Sequence, residues 1–182
     1  MIILETKRLL FRHLAPGDLD DLFAIYSDQE VTRYIPDAPR TYDEAREELE
    51  WHQNGHPKHP ELGLWATIHK ETGHFIGRCG LLPWTLEGRL EVEVAYLLAK
   101  AYWGQGMGTE AAQAILTYGF EHLRLPRLVC FIEPGNIASM RVAEKIGMTL
   151  EKTVADDKGP FQVYSISKEG GPRSPLVTGK IA

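Results

Sequence analysis

Cysteine is scarce in this chain, neither sign of charge dominates, and long apolar runs are missing. The two cysteines, Cys79 and Cys130, each sit inside an apolar stretch and form no CxxC pair. That spacing offers no metal cluster, and such usage is typical of a reducing compartment. Lys and Arg number 20 against 25 Asp and Glu, a net charge of −5 with His neutral. Without a basic run, neither a general nucleic-acid binder nor a polybasic membrane tether fits. Apolar runs fall well short of the ~20 residues that span a bilayer. The start, Met1-Ile2-Ile3-Leu4-Glu5, turns polar too soon for a secretory apolar core. The expectation is a cytoplasmic protein with no nucleic-acid or membrane partner.

What is present is an ordinary globular composition, 43% hydrophobic and 25% charged, over 182 residues. That length predicts one domain with a core that needs neither disulfides nor a metal. Leu9 to Leu14 reads as a strand that Pro16-Gly17-Asp18 stops. Asp18 is placed to cap a helix carrying Leu19, Leu22, Phe23 and Tyr26 at helical spacing. A second helix is expected over Tyr42–His52, then a loop through Asn54–Pro60. Two strands, Leu64–His69 and His74–Leu82, flank the turn Glu71-Thr72-Gly73. A third, Leu90–Leu98, puts Glu91, Glu93, Ala95 and Leu97 on one face by alternation. A helix carrying Ala112, Ile115, Leu116, Gly119 and Leu123 follows, then a strand Arg127–Ile132. Next come a helix with Val142, Ala143 and Ile146 inside, Gly147 at its end, and a last strand Phe161–Ile166. An antiparallel meander followed by strand–helix–strand–helix–strand predicts an α/β fold with a mixed sheet. Residues 171–182 have no periodicity and read as a flexible tail after a domain over 1–170.

The segment Trp103-Gly104-Gln105-Gly106-Met107-Gly108 lies between a strand and a helix. Its glycines allow positive φ and close approach of a ligand, and the helix supplies unpaired N–H groups. That suits a pyrophosphate, although a tight turn that only packs the helix would look the same. The segment is neither a Walker loop nor a G-x-G-x-x-G fingerprint.

Further segments narrow the reading. They are Thr6-Lys7-Arg8-Leu9, Ile76-Gly77-Arg78-Cys79-Gly80-Leu81, Glu93-Val94-Ala95-Tyr96-Leu97 and Tyr102 through Ala111. The helix Asn136-Ile137-Ala138-Ser139 through Gly147-Met148 completes the set. Together, in this order over residues 4 to about 168, they resemble the GNAT superfamily of acetyl-CoA-dependent N-acetyltransferases. The closer resemblance is to the RimJ/RimL-type branch, whose members acetylate N-terminal amines of ribosomal proteins.

The resemblance implies a mostly antiparallel sheet flanked by helices and splayed at the cofactor site. The strands ending at Leu98 and starting at Arg127 would part to admit acetyl-CoA. Backbone groups of Leu97 and Leu98 would pair with its pantetheine arm. Trp103, Gly104, Gln105, Gly106, Met107 and Gly108 would form the pyrophosphate turn, and Asn136 would bond the arm. Asn136 also reads as a plain N-cap. Trp103 stands where many members have Arg or Gln, in agreement with the RimL-like branch. No metal is implied.

Acetyl transfer to an amine needs a base, donors at the thioester oxygen and an acid for the sulfur. Glu93 matches the family's carboxylate position, and Glu91 on the same face is expected to raise its pKa by repulsion. Equally, both could simply face solvent. The superfamily's usual acid, a Tyr, is replaced by Ala143, and the branch offers Ser139 instead. A locally bonded Ser139, Tyr164 or a water are the alternatives. His52, His56 and His59 read as a solvated loop rather than a metal site. Trp51, Trp65 and Trp84 could line an acceptor pocket, with core packing favoured for Trp65. Cys79 and Cys130 read as small core residues. The acceptor implied is a primary amine: a protein N-terminus, or a small molecule such as a polyamine, an amino acid or an aminoglycoside. A non-catalytic acyl-CoA-binding module and a plain nucleotide-binding domain are the competing classes, and monomer and homodimer are both open.

Overall fold

Hairpins build most of the sheet. In the computed structural model, which describes residues 1–168, β1 (Ile2–Glu5) and β2 (Leu9–His13) form the first hairpin. Three helices follow, α1 (Leu19–Ser27), α2 (Gln29–Thr32) and α3 (Tyr42–His52). β3 (Gly63–His69), β4 (Phe75–Leu86) and β5 (Arg89–Leu98) form a meander. Then come α4 (Met107–Glu121), β6 (Arg127–Ile132), α5 (Ile137–Lys145), β7 (Thr149–Asp156) and β8 (Gly159–Ser167). The eight strands lie in the order β1-β2-β3-β4-β5-β6-β8-β7. All neighbours are antiparallel except β5 and β6. The expected mixed, mostly antiparallel sheet flanked by helices is therefore present, and the expected tail 171–182 lies outside the described residues.

Two apolar layers sandwich the sheet. Val92, Val94 and Leu98 of β5 join Met107, Ala111 and Ile115 of α4 and Ala143 of α5 in one core. Leu97 and Ala66 join α1 and α3 in the other. Strand alternation sends odd-numbered β5 side chains towards α1–α3 and even-numbered ones towards α4 and α5. Gly77 lets β4 and β5 approach closely, because a Cβ there would meet the Leu97 carbonyl at 2.0 Å. α3 begins with a capping box in which Thr41 Oγ1 accepts from Glu44 N–H and Glu44 reaches back to Thr41 N–H.

The structure corrects several sequence expectations. Asp18 does not cap α1; its carboxylate takes both ends of the Arg12 guanidinium at 2.7 Å and the Ala15 N–H at 2.8 Å. A bidentate charge-assisted pair outcompetes a single cap bond. β1 and β7 were not expected as strands. β7 is an edge strand that is exposed along most of its length, so it lacks the alternating apolar signal. β4 runs through Pro83 to Leu86 rather than ending at Leu82. β3 begins at Gly63, opposite Leu81, so Pro83 pairs with Val92 of β5 on one side and has no strand on its β3 side, where no ladder N–H is missed.

Candidate active site

β5 and β6 touch at one point and then part. Their parallel pairing consists of the single register position Glu93↔Val129. Beyond it, the Cys130 thiol donates to the Val94 carbonyl at 3.3 Å, a side chain where a ladder bond would otherwise run. Ala99 N–H donates to the Ile76 carbonyl across β4 and β5. In an antiparallel ladder the bonded pairs alternate, so the backbone groups of Leu97 point to β4. Those of Tyr96 and Leu98 point into the gap. Of the two residues expected to meet a pantetheine arm, Leu98 thus presents its backbone to the opening and Leu97 does not. Tyr96 takes its place. The Leu98 carbonyl accepts the Trp103 indole N–H at 2.8 Å, which ties the strand end to the glycine turn.

At the mouth of the gap, Gly104 and Gly106 adopt φ +71° and +77°, and Gly106 is the N-cap of α4. The first α4 bond runs from Glu110 N–H to the Gly106 carbonyl, so the N–H groups of Met107, Gly108 and Thr109 have no helical acceptor. They and the helix dipole converge on the space in front of the turn, a donor set suited to an anion. No atom outside the turn lies within 4 Å of a Cβ built on Gly104. The turn is braced from behind. Arg8 donates to the Gln105 carbonyl at 2.9 Å and to Glu110 at 2.7 Å, and the Thr6 hydroxyl donates to Glu110 at 2.6 Å. Sequence reasoning assigned no role to Glu110, because its partners lie about a hundred residues upstream.

Asn136 is the N-cap of α5; its Oδ1 accepts the Ser139 N–H at 3.2 Å. The half-buried Ser139 in turn offers its carbonyl to the Tyr96 hydroxyl at 3.1 Å, a bridge from β5 to α5 across the gap. Burial raises the Tyr96 pKa, so the phenol stays protonated. Tyr164 packs in the core of the α4/α5 layer.

Glu93 stands at the vertex of the split. Its Oε2 accepts the Trp84 indole N–H at 2.7 Å, and the Phe131 backbone N–H also favours the ionised carboxylate. Burial pushes its pKa up to about 7, against those two donors and the charge of Arg78, which favour the ionised form. Repulsion from Glu91 is not the cause, contrary to expectation: Glu91 pairs with Arg127 Nε at 3.0 Å. A carboxylate that titrates near neutrality can take a proton from an amine.

The other sequence candidates lie elsewhere. Trp65 is core and Trp51 is exposed beside His56; of the three tryptophans named, Trp84 is the one at Glu93. His52 is buried, with its Nδ1 accepting the Leu64 N–H, and burial lowers its pKa to about 4. Cys79 and Cys130 are buried free thiols whose pKa values burial raises.

Residues 8–149 match the family profile described as "Acetyltransferase (GNAT) domain". The chain is 36% identical over 162 residues to the uncharacterized protein YkkB of Bacillus subtilis, covering 88% of this chain and 93% of the relative. It is 33% identical to the uncharacterized N-acetyltransferase p20 of Bacillus licheniformis, over 86% of this chain and 87% of that one. Among solved structures, the GNAT-family acetyltransferase from Bacillus anthracis superposes with a TM-score of 0.78. It is 25% identical, covering 92% of this chain and 98% of that one. With a sheet split at Glu93, a glycine turn at its mouth and a family match over most of its length, this chain belongs to the GNAT acetyltransferases.

Proposed function

We propose that the protein transfers an acetyl group from acetyl-CoA to a primary amine by direct attack inside the β5/β6 split. The observation that carries this reading is the position of Glu93. It is a carboxylate with a pKa of about 7, held by the Trp84 indole N–H at the one point where the parting strands still touch. The groups around the gap support an acyl-CoA there. Tyr96 and Leu98 offer backbone groups to a pantetheine arm, Asn136 lies at the facing helix start, and Gln105 to Gly108 offer N–H groups to a pyrophosphate. Trp103 and Gly104 complete that turn.

Acetyl-CoA, when bound, supplies the acyl carbon as a thioester. Glu93 takes one proton from the incoming ammonium, so that a neutral amine attacks while the carbon–sulfur bond breaks. A gap-facing strand N–H, at Tyr96 or Leu98, is placed to hold the oxygen on which charge develops. The attacking nitrogen sheds a second proton as it becomes the amide, and the departing thiolate takes up one proton at the α5 edge of the gap. There we favour the Ser139 hydroxyl as a relay that passes its own proton to sulfur and regains the one the nitrogen sheds. Tyr96, anchored on the Ser139 carbonyl, is the neighbouring hydroxyl. A protein N-terminus, as the Rim-like resemblance implies, and a small amine both present the nitrogen this chemistry requires.

The test is thiol release from acetyl-CoA over a panel of primary amines. Glu93→Gln keeps the shape and the Trp84 contact but cannot accept a proton. It is expected to lower kcat by about 10²–10⁴-fold while the acetyl-CoA dissociation constant stays within a factor of two or so. Wild-type turnover in the variant would remove Glu93 from the mechanism. Cofactor binding without turnover of any amine would leave a non-catalytic acyl-CoA module as the better reading.

A further inference from the structure

A row of aromatic rings runs from Glu93 across the outer half of the sheet. Trp84 on β4 meets Phe131 on β6 edge to face, with centroids 6.3 Å apart and planes at 77°. Phe131 meets Phe161 on β8 in the same way, at 5.4 Å and 74°. Register puts all of them on the Glu93 face. Trp84 lies opposite Glu91, Phe131 is two residues along from Val129, and Phe161 is two along from Val163, the partner of Phe131. None of the three belongs to either core cluster. Trp84 is 45% exposed, and Phe131 and Phe161 are half-buried. Three rings kept out of the core and aligned on one base form a surface for a ligand rather than for folding.

The charges flanking the row are already paired. Glu91 and Glu151 both neutralise Arg127, at 3.0 and 2.7 Å, and Glu151 also accepts the Ser165 hydroxyl. Glu87 is held by Lys152. A second ammonium lying along the rings would find no unpaired carboxylate among these residues. Glu133, two residues past Phe131, follows the end of β6, outside the ladder that fixes the ring faces.

We propose that the acceptor is a monoamine on an apolar or aromatic carbon frame, with its nitrogen at Glu93 and its frame laid on Trp84, Phe131 and Phe161. This rests on the acetyl-transfer reading above. Trp84 then has two parts. Its ring is the near end of the platform, and its indole N–H fixes the carboxylate that accepts the proton.

The experiment compares 2-phenylethylamine, spermidine and a short peptide with a polar N-terminal residue, by thiol release at saturating acetyl-CoA. The full chain, Phe161→Ala and Trp84→Phe are each assayed. Wild type is expected to favour 2-phenylethylamine in kcat/KM by about tenfold or more, the scale of one well-used apolar contact. Phe161→Ala, furthest from Glu93, should erase most of that preference through KM, with kcat held and a melting temperature lowered only by the lost Phe131 contact. Trp84→Phe keeps an aromatic face, so KM for 2-phenylethylamine should hold within about twofold. Loss of the N–H donor should move the acid limb of kcat to higher pH, since the ionised carboxylate loses a stabilising bond. A preference for spermidine or for the peptide overturns the apolar class and leaves acetyl transfer standing. So does a selectivity that Phe161→Ala leaves unchanged. Acetyl-CoA binding with no amine turned over overturns the acetyl-transfer reading itself.

Discussion

The two walls of the split are built by different means. On the side we assign to the donor the gap-facing groups are mostly backbone: the Tyr96 and Leu98 strand edge, the N–H groups that open α4, and the capped start of α5. They come from two short stretches of chain. On the side we assign to the acceptor they are side chains: Trp84, Glu93, Phe131 and Phe161, each from a different strand. A backbone site depends on φ and on helix ends, which neighbouring residues set. A side-chain site depends on which strands lie side by side and in what register, so a shift of one residue would turn every ring to the other face.

That contrast can be broken first at the turn. Gly106→Asp puts a carboxylate where the helix opens, 3.7 Å from Arg8 at the Cβ position. At φ +77° an L side chain costs about 1–2 kcal/mol, which a folded domain survives. Binding of acetyl-CoA should vanish by calorimetry. The stabilisation of about 2.7 kcal/mol expected of wild type at 100 times the dissociation constant should vanish with it. Retained binding would mean that the turn does not hold the phosphates.

A smaller effect separates the two hydroxyls at the α5 edge. With Ser139 as donor to the sulfur, Ser139→Ala should lower kcat on the order of 10²-fold, and Tyr96→Phe, which removes only the strap to the Ser139 carbonyl, clearly less. The reverse order would transfer the role to Tyr96.

The smallest effect concerns Asn136. Its Oδ1 caps α5, so Asn136→Ala should cost about 1 kcal/mol in a denaturant titration. Asn136→Ser restores a cap without the amide. If Asn136 also bonds the pantetheine arm, Ser should recover the stability but leave a weakened acetyl-CoA affinity. Full recovery of both would reduce Asn136 to a cap.

The same contrast explains what could be read from residues alone. The helix Tyr42–His52 and the strand Arg127–Ile132 have the expected bounds, because a capping signal and a short apolar run mark them locally. The glycine turn and the Asn136 cap are local patterns too. The edge strands escaped notice because charges at Glu151, Lys152 and Asp156 hide the alternation of β7. The cause of the Glu93 pKa was misassigned for a related reason. Alternation shows that Glu91 shares its face, but only register reveals that Arg127 lies beside Glu91 and claims it. Likewise nothing near Trp84 in sequence points to Phe131 or Phe161. The braces from Thr6 and Arg8 to Glu110 were invisible until β1, β2 and α4 were placed together.

The account turns on Glu93 as a base that titrates near neutrality, and the pH dependence of kcat/KM tests it most directly. A raised carboxylate pKa leaves the group protonated and idle below it, so activity should climb through about pH 7 and level off above. In Glu93→Gln the inflection near 7 should disappear along with most of the rate. The native state also holds that proton more tightly than the unfolded chain, so this group's contribution to stability should fall as pH rises from about 4 to 7. A wild-type profile that is flat from pH 6 to 8 on the scale of that pKa, or an inflection that survives in Glu93→Gln, would contradict the account.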